Sequence, residues 1–393
     1  MSTRVRKKGS AFRIFVTGII LVVGCALVAA PSFAKGKYRT YKEYVASLPK
    51  GCEPVPQECF EKAVAGKTFA MYDWAAWWPE ELYKDFEKEF GIKIVRDNYP
   101  NLDEALAKFR LNPKTAYDYW LTNPKSLWYM RNWNILEKIN HDWIPNVNRY
   151  LAKDIKNASW DPGYNYSVLT TLGYDAYVIN TNFINKNDPR IPSWKFLFEG
   201  WDVYKDKLIM RNEMNRVIGN TLKYLGYSLN STNPQELKQA EEALLRLKPH
   251  IMAFDSWPKR AVMAQEVWII EGVVHDYQTL GNLIGPKNPF YVAYPPNGCL
   301  LSPMLIVIPK GGSNPAATHL FINYLYRPEN FAKLINTVAY GHGHAAIDSL
   351  LTAQVKVWMT PPKGYREKCE VLSPQAFTGE GEKLRAKIWE KLK

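Results

Sequence analysis

The sequence predicts an α/β protein with two lobes, each built on a mainly parallel sheet. Apolar, β-branched segments alternate with segments whose apolar residues recur at helical spacing, and this alternation is typical of parallel sheets. The 393 residues are enough for two lobes that each have a core. Residues 168–180 and 300–309 are long apolar stretches, and the pattern fits both strands that pass between lobes and ordinary buried strands.

The first strand–helix–strand unit carries the clearest local signals. The apolar run at 68–72 predicts a short buried strand. Pro79 suits the first position of a helix, and Gly91 suits the position that ends it. The next strand is predicted at 92–95. The helix between the two strands is indicated by apolar residues at helical spacing, namely Leu82, Tyr83, Phe86 and Phe90.

The rest of the chain continues the alternation. Apolar spacing predicts the helices, and short apolar runs rich in β-branched or aromatic residues predict the strands. In order, the predicted elements are helix 103–109, strand 117–121, helix 128–132, strands 168–180 and 207–210, helices 216–225 and 236–247, strands 267–270 and 300–309, and helices 319–325, 328–339 and 380–393. Because its charges alternate in sign, we expect the last helix to be solvated.

The first 34 residues have the pattern of a secretory signal peptide. Residues 1–13 carry five basic residues and no acidic one, an apolar segment follows, and Ser32-Phe-Ala34 is a small-x-small cleavage signal. The segment is too short for a stable membrane span. A lipobox-like sequence ends at Cys25, which a lipid anchor would modify, but the residues after it are still apolar. We expect cleavage after Ala34 and, in either case, export to the periplasm.

Export fits the cysteines. With Cys25 set aside, an even number remains, which is typical of an oxidising compartment. Cys52 and Cys59 flank a short loop that a disulfide can close, and we predict that bond. Cys299 and Cys369 can also pair, but the sequence does not assign their pairing. The spacing of the cysteines gives little support to a zinc site.

Composition and motifs argue against nucleic-acid binding and catalysis. The formal net charge is +13, yet basic and acidic residues are interspersed, as in residues 84–89, and no nucleic-acid motif occurs. Nucleophile-elbow, phosphate-loop and dinucleotide motifs are absent, so we predict neither an enzyme nor a bound cofactor. His342 and His344 alone make a weak metal pair, and a surface loop is the preferred interpretation.

Three tryptophans mark a candidate binding loop. Trp74, Trp77 and Trp78 follow the first predicted strand, and open α/β sheets bind ligands at the carboxyl ends of their strands. Some of these indoles can belong to the core. We nevertheless expect at least one to face a ligand. Because aromatic faces attract cations, an ammonium-bearing ligand is the first hypothesis.

Several segments together resemble the periplasmic polyamine-binding proteins of ABC importers. Residues 72–77 (Tyr-Asp-Trp-Ala-Ala-Trp) are similar to that family's Tyr-x-Trp-x-x-Tyr loop. The other matching segments are 116–118 (Ala-Tyr-Asp), 166–168 (Tyr-Ser-Val), 193–198 (Ser-Trp-Lys-Phe-Leu-Phe), 225–234, 322–328 (Ile-Asn-Tyr-Leu-Tyr-Arg-Pro) and 339–341 (Ala-Tyr-Gly). They run in the family's order over residues 67–350.

The resemblance implies a two-lobed type II periplasmic-binding-protein fold. Each lobe would be a mainly parallel sheet flanked by helices, with a hinge between them. Ligand would close the cleft, and an inner-membrane ABC permease would recognise the closed monomer. The implied boundaries are a signal peptide at 1–34, an extension at 35–66, lobe one at 67–168, lobe two at 169–302, a return to lobe one at 303–350 and a tail at 351–393, mostly on lobe two.

The resemblance also implies a set of ligand-binding positions. Carried over position by position, they are Trp74, Trp77, Asn123, Lys125, Glu213, Arg216, Glu271, Ser302, Met304 and Tyr340. The two tryptophans, the tyrosine and Glu213 keep the family's character. Lys125 stands where the family has an aromatic residue, and Arg216 stands where it has a second carboxylate. Ser302 and Met304 replace a Trp-x-Asp pair.

These departures bear on the ligand, because a buried ammonium needs a partner. With one clear carboxylate, a polyamine would be poorly compensated. One interpretation is a zwitterionic ligand, whose acidic end Arg216 clamps while the tryptophans hold its ammonium. The other is that Arg216 simply pairs with Glu213 one helical turn away. The sequence leaves both open.

The sequence thus predicts a solute-binding protein of a polyamine-type ABC importer that binds a small amine-containing solute. The alternative is a periplasmic accessory protein on the same scaffold. It would have lost solute binding and would dock a partner protein. The missing carboxylates and residues 35–66 favour the alternative, and the retained Trp74, Trp77, Glu213 and Tyr340 favour a ligand.

Overall fold

The computed structural model describes residues 36–74, 78–285, 288–359 and 361–393. The strands are β1 (Thr68–Trp74), β2 (Lys93–Tyr99), β3 (Tyr119–Thr122), β4 (Ser167–Asn180), β5 (Leu208–Met210), β6 (Ile251–Phe254), β7 (Ile269–Val273), β8 (Phe290–Ala293), β9 (Leu300–Val307) and β10 (Glu370–Val371).

Helices surround these strands. They are α1 (Tyr41–Ala46), α2 (Gln57–Ala65), α3 (Glu80–Phe90), α4 (Leu102–Leu111), α5 (Pro124–Asn132), α6 (Pro145–Tyr150), α7 (Lys153–Lys156), α8 (Trp194–Glu199), α9 (Trp201–Tyr204), α10 (Met214–Tyr224), α11 (Pro234–Leu247), α12 (Lys259–Met263), α13 (Val274–Ile284), α14 (Pro315–Leu325), α15 (Pro328–Val338), α16 (Ala353–Met359), α17 (Pro374–Phe377) and α18 (Gly379–Leu392).

The strands form a mixed sheet in the order β2-β1-β3-β9-β4-β7-β5-β6, with β8 and β10 paired beside β4 and β9. The outer strands of each half are parallel, as the alternating pattern predicts. The long central strands are different, since β9 runs antiparallel to both β3 and β4. The α/β prediction is therefore confirmed, with antiparallel strands at its centre.

Strand β4 belongs to both halves of the sheet. Its first part, from Ser167 to Tyr174, pairs with β9, and its second part, from Asp175, pairs with β7 and β8. All fourteen residues of β4 are buried, which explains why it reads as one apolar run without alternation. The candidate site described below is centred on this change of partner, between Tyr174 and Asp175.

The first unit folds as its local signals indicate. Helix α3 buries Leu82, Tyr83, Phe86 and Phe90 on one face, and Gly91 ends it in the left-handed conformation, with φ of 69°. Pro79 lies one position earlier than predicted, as the residue that precedes the helix.

The N-terminal extension is part of the main core. Helix α2, which the sequence analysis did not predict, packs against α14. Its buried face consists of Cys59, Phe60 and Ala63, and the Phe60 ring stacks on that of Tyr44 from α1, with 5.1 Å between centroids. Residues 36–66 therefore bury apolar surface in the same core as β1 and α3.

The prediction that the last helix is solvated is wrong for one face. Helix α18 packs against α10 and α11 and buries Ile388 and Leu392. Arg385 is fully buried, and its guanidinium donates a hydrogen bond of 2.6 Å to the Leu229 carbonyl. Most charged residues of this helix lie on its exposed face. Because they alternate in sign along the sequence, the apolar face was missed.

The described cysteines, Cys52, Cys59, Cys299 and Cys369, are all free in the structure, so the predicted Cys52–Cys59 disulfide is not present. Cys59 is fully buried on α2 and its Sγ points to the Ala316 carbonyl oxygen, 3.7 Å away. Cys52 lies in the turn before that helix and is partly exposed. Helix formation at Gln57 directs Cys59 toward the core, which the spacing of the two cysteines does not reveal.

Candidate functional site

The candidate site is a network of buried charges at the point where β4 changes partners. Asp175, the first residue of β4 that pairs with β7, is completely buried. A buried carboxylate requires compensating partners, since desolvation of an unpaired charge is costly. Its partners come from α10.

Arg216 on the first turn of α10 is the main partner. Its Nη1 forms a close ion pair with the Asp175 carboxylate, and its Nε lies 3.1 Å from Glu213 Oε2. Its Nη2 donates a 3.1 Å hydrogen bond to Ser302 Oγ on β9. The guanidinium thus has acceptors in both halves of the sheet, and burial leaves Arg216 only 7% exposed.

Arg211, at the carboxyl end of β5, is a second cation in the network. Its guanidinium forms ion pairs with Glu213 through Nε and with Asp276 on α13 through Nη1. Glu213 therefore bridges the two arginines. Its side chain is the most exposed of the network's carboxylates, at 42%, so it offers the network a face toward solvent.

Asn220 joins the remaining carboxylate to the network. Its Nδ2 donates to Asp175 Oδ2 at 2.9 Å and to Glu271 Oε1 at 2.5 Å. Glu271 lies on β7 and is fully buried, and its other oxygen accepts a 3.3 Å hydrogen bond from the Arg211 backbone N–H. An amide can satisfy two carboxylates in this way without adding charge.

His275 on α13 and Tyr340, which follows α15, complete the site. His275 Nε2 lies 2.6 Å from Asp276 Oδ1, and the imidazole is in contact with the Tyr340 ring. Tyr340 is 7% exposed and also lies close to Gly173, where an added Cβ would come within 3.3 Å of its ring. The absence of a side chain at Gly173 therefore leaves room for this aromatic ring.

For the carboxyl groups of the network, burial raises the pKa and neighbouring arginines lower it. Burial, together with the nearby Asp175, raises the pKa of Glu271 to about 7. Burial also acts to raise the pKa of Glu213, but Arg216 and Arg211 outweigh it and hold that pKa at about 2. Burial raises the pKa of Asp175 despite Arg216, and it lowers the pKa of His275.

The network carries more negative than positive groups. Four carboxylates, those of Asp175, Glu213, Glu271 and Asp276, face the two guanidinium groups of Arg211 and Arg216. With His275 neutral and Glu271 ionised, two formal negative charges remain without a cation inside the network. Such an arrangement favours a cationic ligand, because opposite charges nearby stabilise a desolvated ammonium.

The structure brings half of the predicted site residues together. Glu213, Arg216 and Ser302 are in direct contact, Glu271 joins them through Asn220, and Tyr340 joins through His275. The interpretation that Arg216 pairs with Glu213 agrees with these contacts. Arg216 also has a stronger partner that the sequence analysis missed, namely Asp175.

The other predicted residues have local partners in the structure. Trp74 packs on Tyr99, with 4.7 Å between ring centroids, and Asn123 caps α5 by accepting from the Ser126 N–H. Lys125 forms a 2.9 Å ion pair with Asp103, and Met304 is buried on β9. Trp77 lies outside the described residues. The roles of all ten predicted residues at a ligand stay predictions.

Five network residues were missed by the sequence analysis. They are Asp175, Arg211, Asn220, His275 and Asp276. Asp175 could have been recognised from the sequence, because it is the single charged residue in the apolar run 168–180. A charge in the middle of a buried strand requires a partner and therefore marks a functional or structural site. The other four lie in ordinary polar contexts.

The described residues show no group of three or more His, Cys, Asp or Glu side chains arranged to hold a metal ion. His342 and His344 lie in an irregular segment, as the loop interpretation predicts, but its expectation of surface exposure is wrong for His344. His344 is 2% exposed with Nε2 at 3.1 Å from the Tyr326 carbonyl oxygen, and His342 Nε2 lies 3.2 Å from Asp348. Both imidazoles therefore have protein partners.

Comparison with known proteins identifies relatives over most of the chain. Residues 81–360 match the sequence model of the bacterial extracellular solute-binding proteins. The spermidine/putrescine-binding periplasmic protein of Salmonella typhimurium strain LT2 is 29% identical over 293 residues, which cover 73% of this chain and 81% of that protein. The putrescine-binding periplasmic protein SpuD of Pseudomonas aeruginosa is 26% identical, covering 75% and 83%.

Solved structures share the fold. The spermidine/putrescine ABC transporter substrate-binding protein PotD from Streptococcus pneumoniae aligns with a TM-score of 0.74 at 23% identity, covering 83% of this chain and 99% of that one. This likeness confirms the two-lobed α/β fold. The relatives do not favour the alternative in which the scaffold serves only to dock a partner protein. Among the described helices, none combines the length and apolarity that a membrane span needs.

Proposed function

Because the chain belongs to the family of bacterial extracellular solute-binding proteins, we propose that it captures a small amine-containing solute for an ABC importer. The solute would be held between the lobes, next to the charge network around Arg216. An inner-membrane permease would then recognise the closed form. The family consists of solute-binding proteins rather than enzymes, in agreement with the absence of catalytic motifs in the sequence.

The excess of carboxylates carries this proposal. When Glu271 is ionised, which a bound cation would favour, the two uncompensated negative charges of the network match a ligand with two ammonium groups, such as a diamine. The sequence analysis judged a polyamine poorly compensated, because it counted Glu213 alone. Asp175 and Asp276 change that balance. The names of the Salmonella and Pseudomonas relatives agree with a ligand of this class.

The position of Arg216 favours a cationic ligand over a zwitterionic one. Its guanidinium already meets Asp175, Glu213 and Ser302, which occupy all three of its nitrogens. These contacts use three of the five N–H groups of the guanidinium, but its single positive charge is already shared between two carboxylates. A ligand carboxylate would bring a third negative charge to this buried site, where like charges repel strongly.

Aromatic residues would complete the binding site. Tyr340 contacts His275 at the network, and Trp74 ends the strand that leads into the tryptophan loop. An ammonium over an aromatic face gains about 0.5–2 kcal/mol, more when water is excluded. We therefore assign Trp74 and Tyr340 to the wall of the ligand site, with Trp77 as a further member.

Strands β4 and β9 are the candidate hinge. Each runs through the centre of the sheet, and β4 takes different partners in its two parts. A ligand that binds groups from both halves would shift the population toward the closed form. The proposed lobes are residues 67–168 and 169–302, with a return to lobe one at 303–350. Their boundaries fall within β4 and β9.

Export belongs to the same proposal. The relatives are named as periplasmic proteins, and residues 1–34 have the pattern of a secretory signal. We infer that the mature chain begins after Ala34 and acts as a monomer.

A thermal-shift screen of the mature protein tests the proposal. The panel contains putrescine, spermidine, betaines, amino acids, ω-amino acids and aminophosphonates. A ligand that binds only the folded state raises the melting temperature, by an amount that grows with its concentration relative to Kd. We expect shifts with putrescine or spermidine, and weaker ones with zwitterions.

Two results would count against the proposal. A shift with zwitterions but not with diamines would restore the Arg216 clamp and remove the charge-balance argument. No shift across the whole panel would favour the docking protein. A matched charge control is 1,4-butanediol, which has the length of putrescine without its ammonium groups and is expected to give no shift.

A further inference from the structure

The thiols of Cys299 and Cys369 lie in contact, although they are seventy residues apart in the chain. The two Sγ atoms are 2.8 Å apart, and the Cys299 N–H donates to Cys369 Sγ at 3.2 Å. Non-bonded sulfur atoms do not ordinarily come this close, and a disulfide bond of about 2.0 Å requires only a small further approach.

Backbone pairing fixes this contact. Strand β10, which follows Cys369, runs parallel to β9, which follows Cys299, with Glu370 opposite Leu300. The Glu370 N–H donates a 2.9 Å hydrogen bond to the Cys299 carbonyl oxygen. The two cysteines therefore precede paired residues of neighbouring strands, so their side chains are held side by side.

The close approach of the two segments is also visible at Gly298. This residue has a positive φ of 82°, and a Cβ atom there would lie 2.0 Å from the Lys368 carbonyl oxygen. Only glycine fits such a position. The backbone that precedes each cysteine is thus in contact as well, which makes the juxtaposition a property of the local fold rather than of two side-chain rotamers.

We propose that Cys299 and Cys369 form a disulfide bond in the exported protein, attaching the C-terminal segment to the central strand β9. The proposal rests on the export inferred above, because structural disulfides persist in oxidising compartments. All four described thiols are unbonded in the structure, but Cys299 and Cys369 are in contact, whereas Cys59 Sγ points to the Ala316 carbonyl oxygen. The proposed bond therefore replaces the predicted Cys52–Cys59 bond.

The bond can form by two thiol–disulfide exchanges with a disulfide donor. Cys369 is the more exposed of the two, so its thiolate would attack the donor first, giving a mixed disulfide and one donor thiolate. Cys299 then loses its proton and attacks the Cys369 sulfur, which releases the second donor thiolate. In total, two thiols lose two protons and two electrons, and the donor disulfide is reduced to two thiols.

The bond would add a covalent link to a segment that is otherwise held by non-covalent contacts. Strand β10 contains two residues, of which Glu370 pairs with Lys223 at 2.9 Å and accepts a hydrogen bond from Ser228, while the helices that follow pack on α5, α10 and α11. A cross-link that closes a loop of this length restricts the unfolded chain strongly. We therefore expect the disulfide to stabilise the whole fold.

Peptide mapping of the purified mature protein tests the bond. The reduced protein is incubated with oxidised glutathione, remaining thiols are alkylated, and the chain is digested without a reducing agent. We expect a cross-linked pair of peptides containing Cys299 and Cys369, while Cys52 and Cys59 are recovered alkylated. Alkylated Cys299 and Cys369, or a Cys52–Cys59 cross-link, would overturn the proposal.

Thermal unfolding supplies an independent measurement. Dithiothreitol should lower the Tm of the oxidised wild type by several degrees, to the value of a Cys299→Ser or Cys369→Ser variant, and should not change the Tm of either variant. The matched control, Cys52→Ser, should keep the response to reductant. A wild-type Tm that reductant does not change would contradict a stabilising bond. Neither experiment uses the transported solute, so failure of the amine-binding proposal would leave these results unaffected.

Discussion

Arg216 shows how the environment of one residue determines what it can bind. Its sequence context, three residues after Glu213, suggests both a helical ion pair and a clamp for an acidic ligand. In the structure the buried Asp175 occupies the same guanidinium. The arginine is thus a structural counter-ion, and the network around it keeps an excess of negative charge.

The first prediction concerns this counter-ion. Arg216→Met keeps much of the side-chain volume but leaves Asp175 buried without its cation, so we expect the free energy of unfolding to fall by about 3–5 kcal/mol. Urea unfolding followed by fluorescence measures the change. The matched control is Lys125→Met, which breaks only the exposed pair with Asp103 and should cost less than about 1 kcal/mol. Equal losses for both variants would contradict the structural role of Arg216.

The second prediction concerns the aromatic wall. Trp74→Ala should weaken binding of putrescine by about 1–3 kcal/mol and leave the fold intact, because an indole face contributes both area and cation–π attraction. Isothermal titration measures the affinity, and circular dichroism checks the fold. Trp257→Ala is the control, since that side chain is 46% exposed in another part of the chain. Unchanged affinity for Trp74→Ala would remove Trp74 from the site.

The third prediction follows from the raised pKa of Glu271. Its pKa rises from 4.5 to about 7 on folding, so between these pH values the folded state binds more protons than the unfolded state. The contribution of Glu271 is therefore complete below about pH 4.5 and is lost as pH rises toward 7, by roughly 3 kcal/mol in total.

Glu271→Gln isolates this contribution, because the amide cannot ionise. We expect the difference in unfolding free energy between wild type and variant to change in favour of the variant from pH 4.5 to 7.5. Urea unfolding at several pH values measures it. A difference that is independent of pH would show that Glu271 does not titrate in this range.

At the scale of elements, local signals predicted those parts of the fold that depend on local chemistry. The end of α3 at Gly91 and the strand β4 were both predicted. A residue in the left-handed conformation is usually glycine, and a strand that is buried on both faces is a continuous apolar run. Helix α2 and the buried face of α18 were missed. In α18 the apolar residues are few among many charges, and for both helices only the partner helix shows which face is buried.

The C-terminal segment provides the fourth prediction. Phe377 on α17 is 1% exposed and contacts the rings of Trp128 and Tyr129 on α5, with 5.9 Å between centroids in each pair. Phe377→Ala should lower the free energy of unfolding by about 3–5 kcal/mol, since it removes a buried ring. Leu111→Ala, at a position 86% exposed, is the control and should change it by about 0.5 kcal/mol or less. Chemical unfolding of both variants gives the comparison, and a similar small loss for Phe377→Ala would contradict the docking of α17.

At the scale of the whole molecule, the charge network depends on contacts between distant parts of the chain. Asp175 pairs with Arg216, and Asp276 pairs with Arg211, although each pair is far apart in sequence. They meet because α10, α13 and the end of β5 converge where β4 changes partners. The sequence predicted Glu213, Arg216 and Glu271 through resemblance to a family. It did not predict the net charge of the site, because that charge depends on residues outside the matching motifs.

The central claim is that this network binds a cation through its excess negative charge. The most direct test is calorimetric titration of putrescine into the mature protein at pH 7, in two buffers with different ionisation enthalpies. A bound ammonium stabilises the ionised form of Glu271, which is about half protonated at this pH, so binding should release up to roughly half a proton. Glu271→Gln should bind without this release. Absence of binding, or proton uptake by the wild type, would contradict the account.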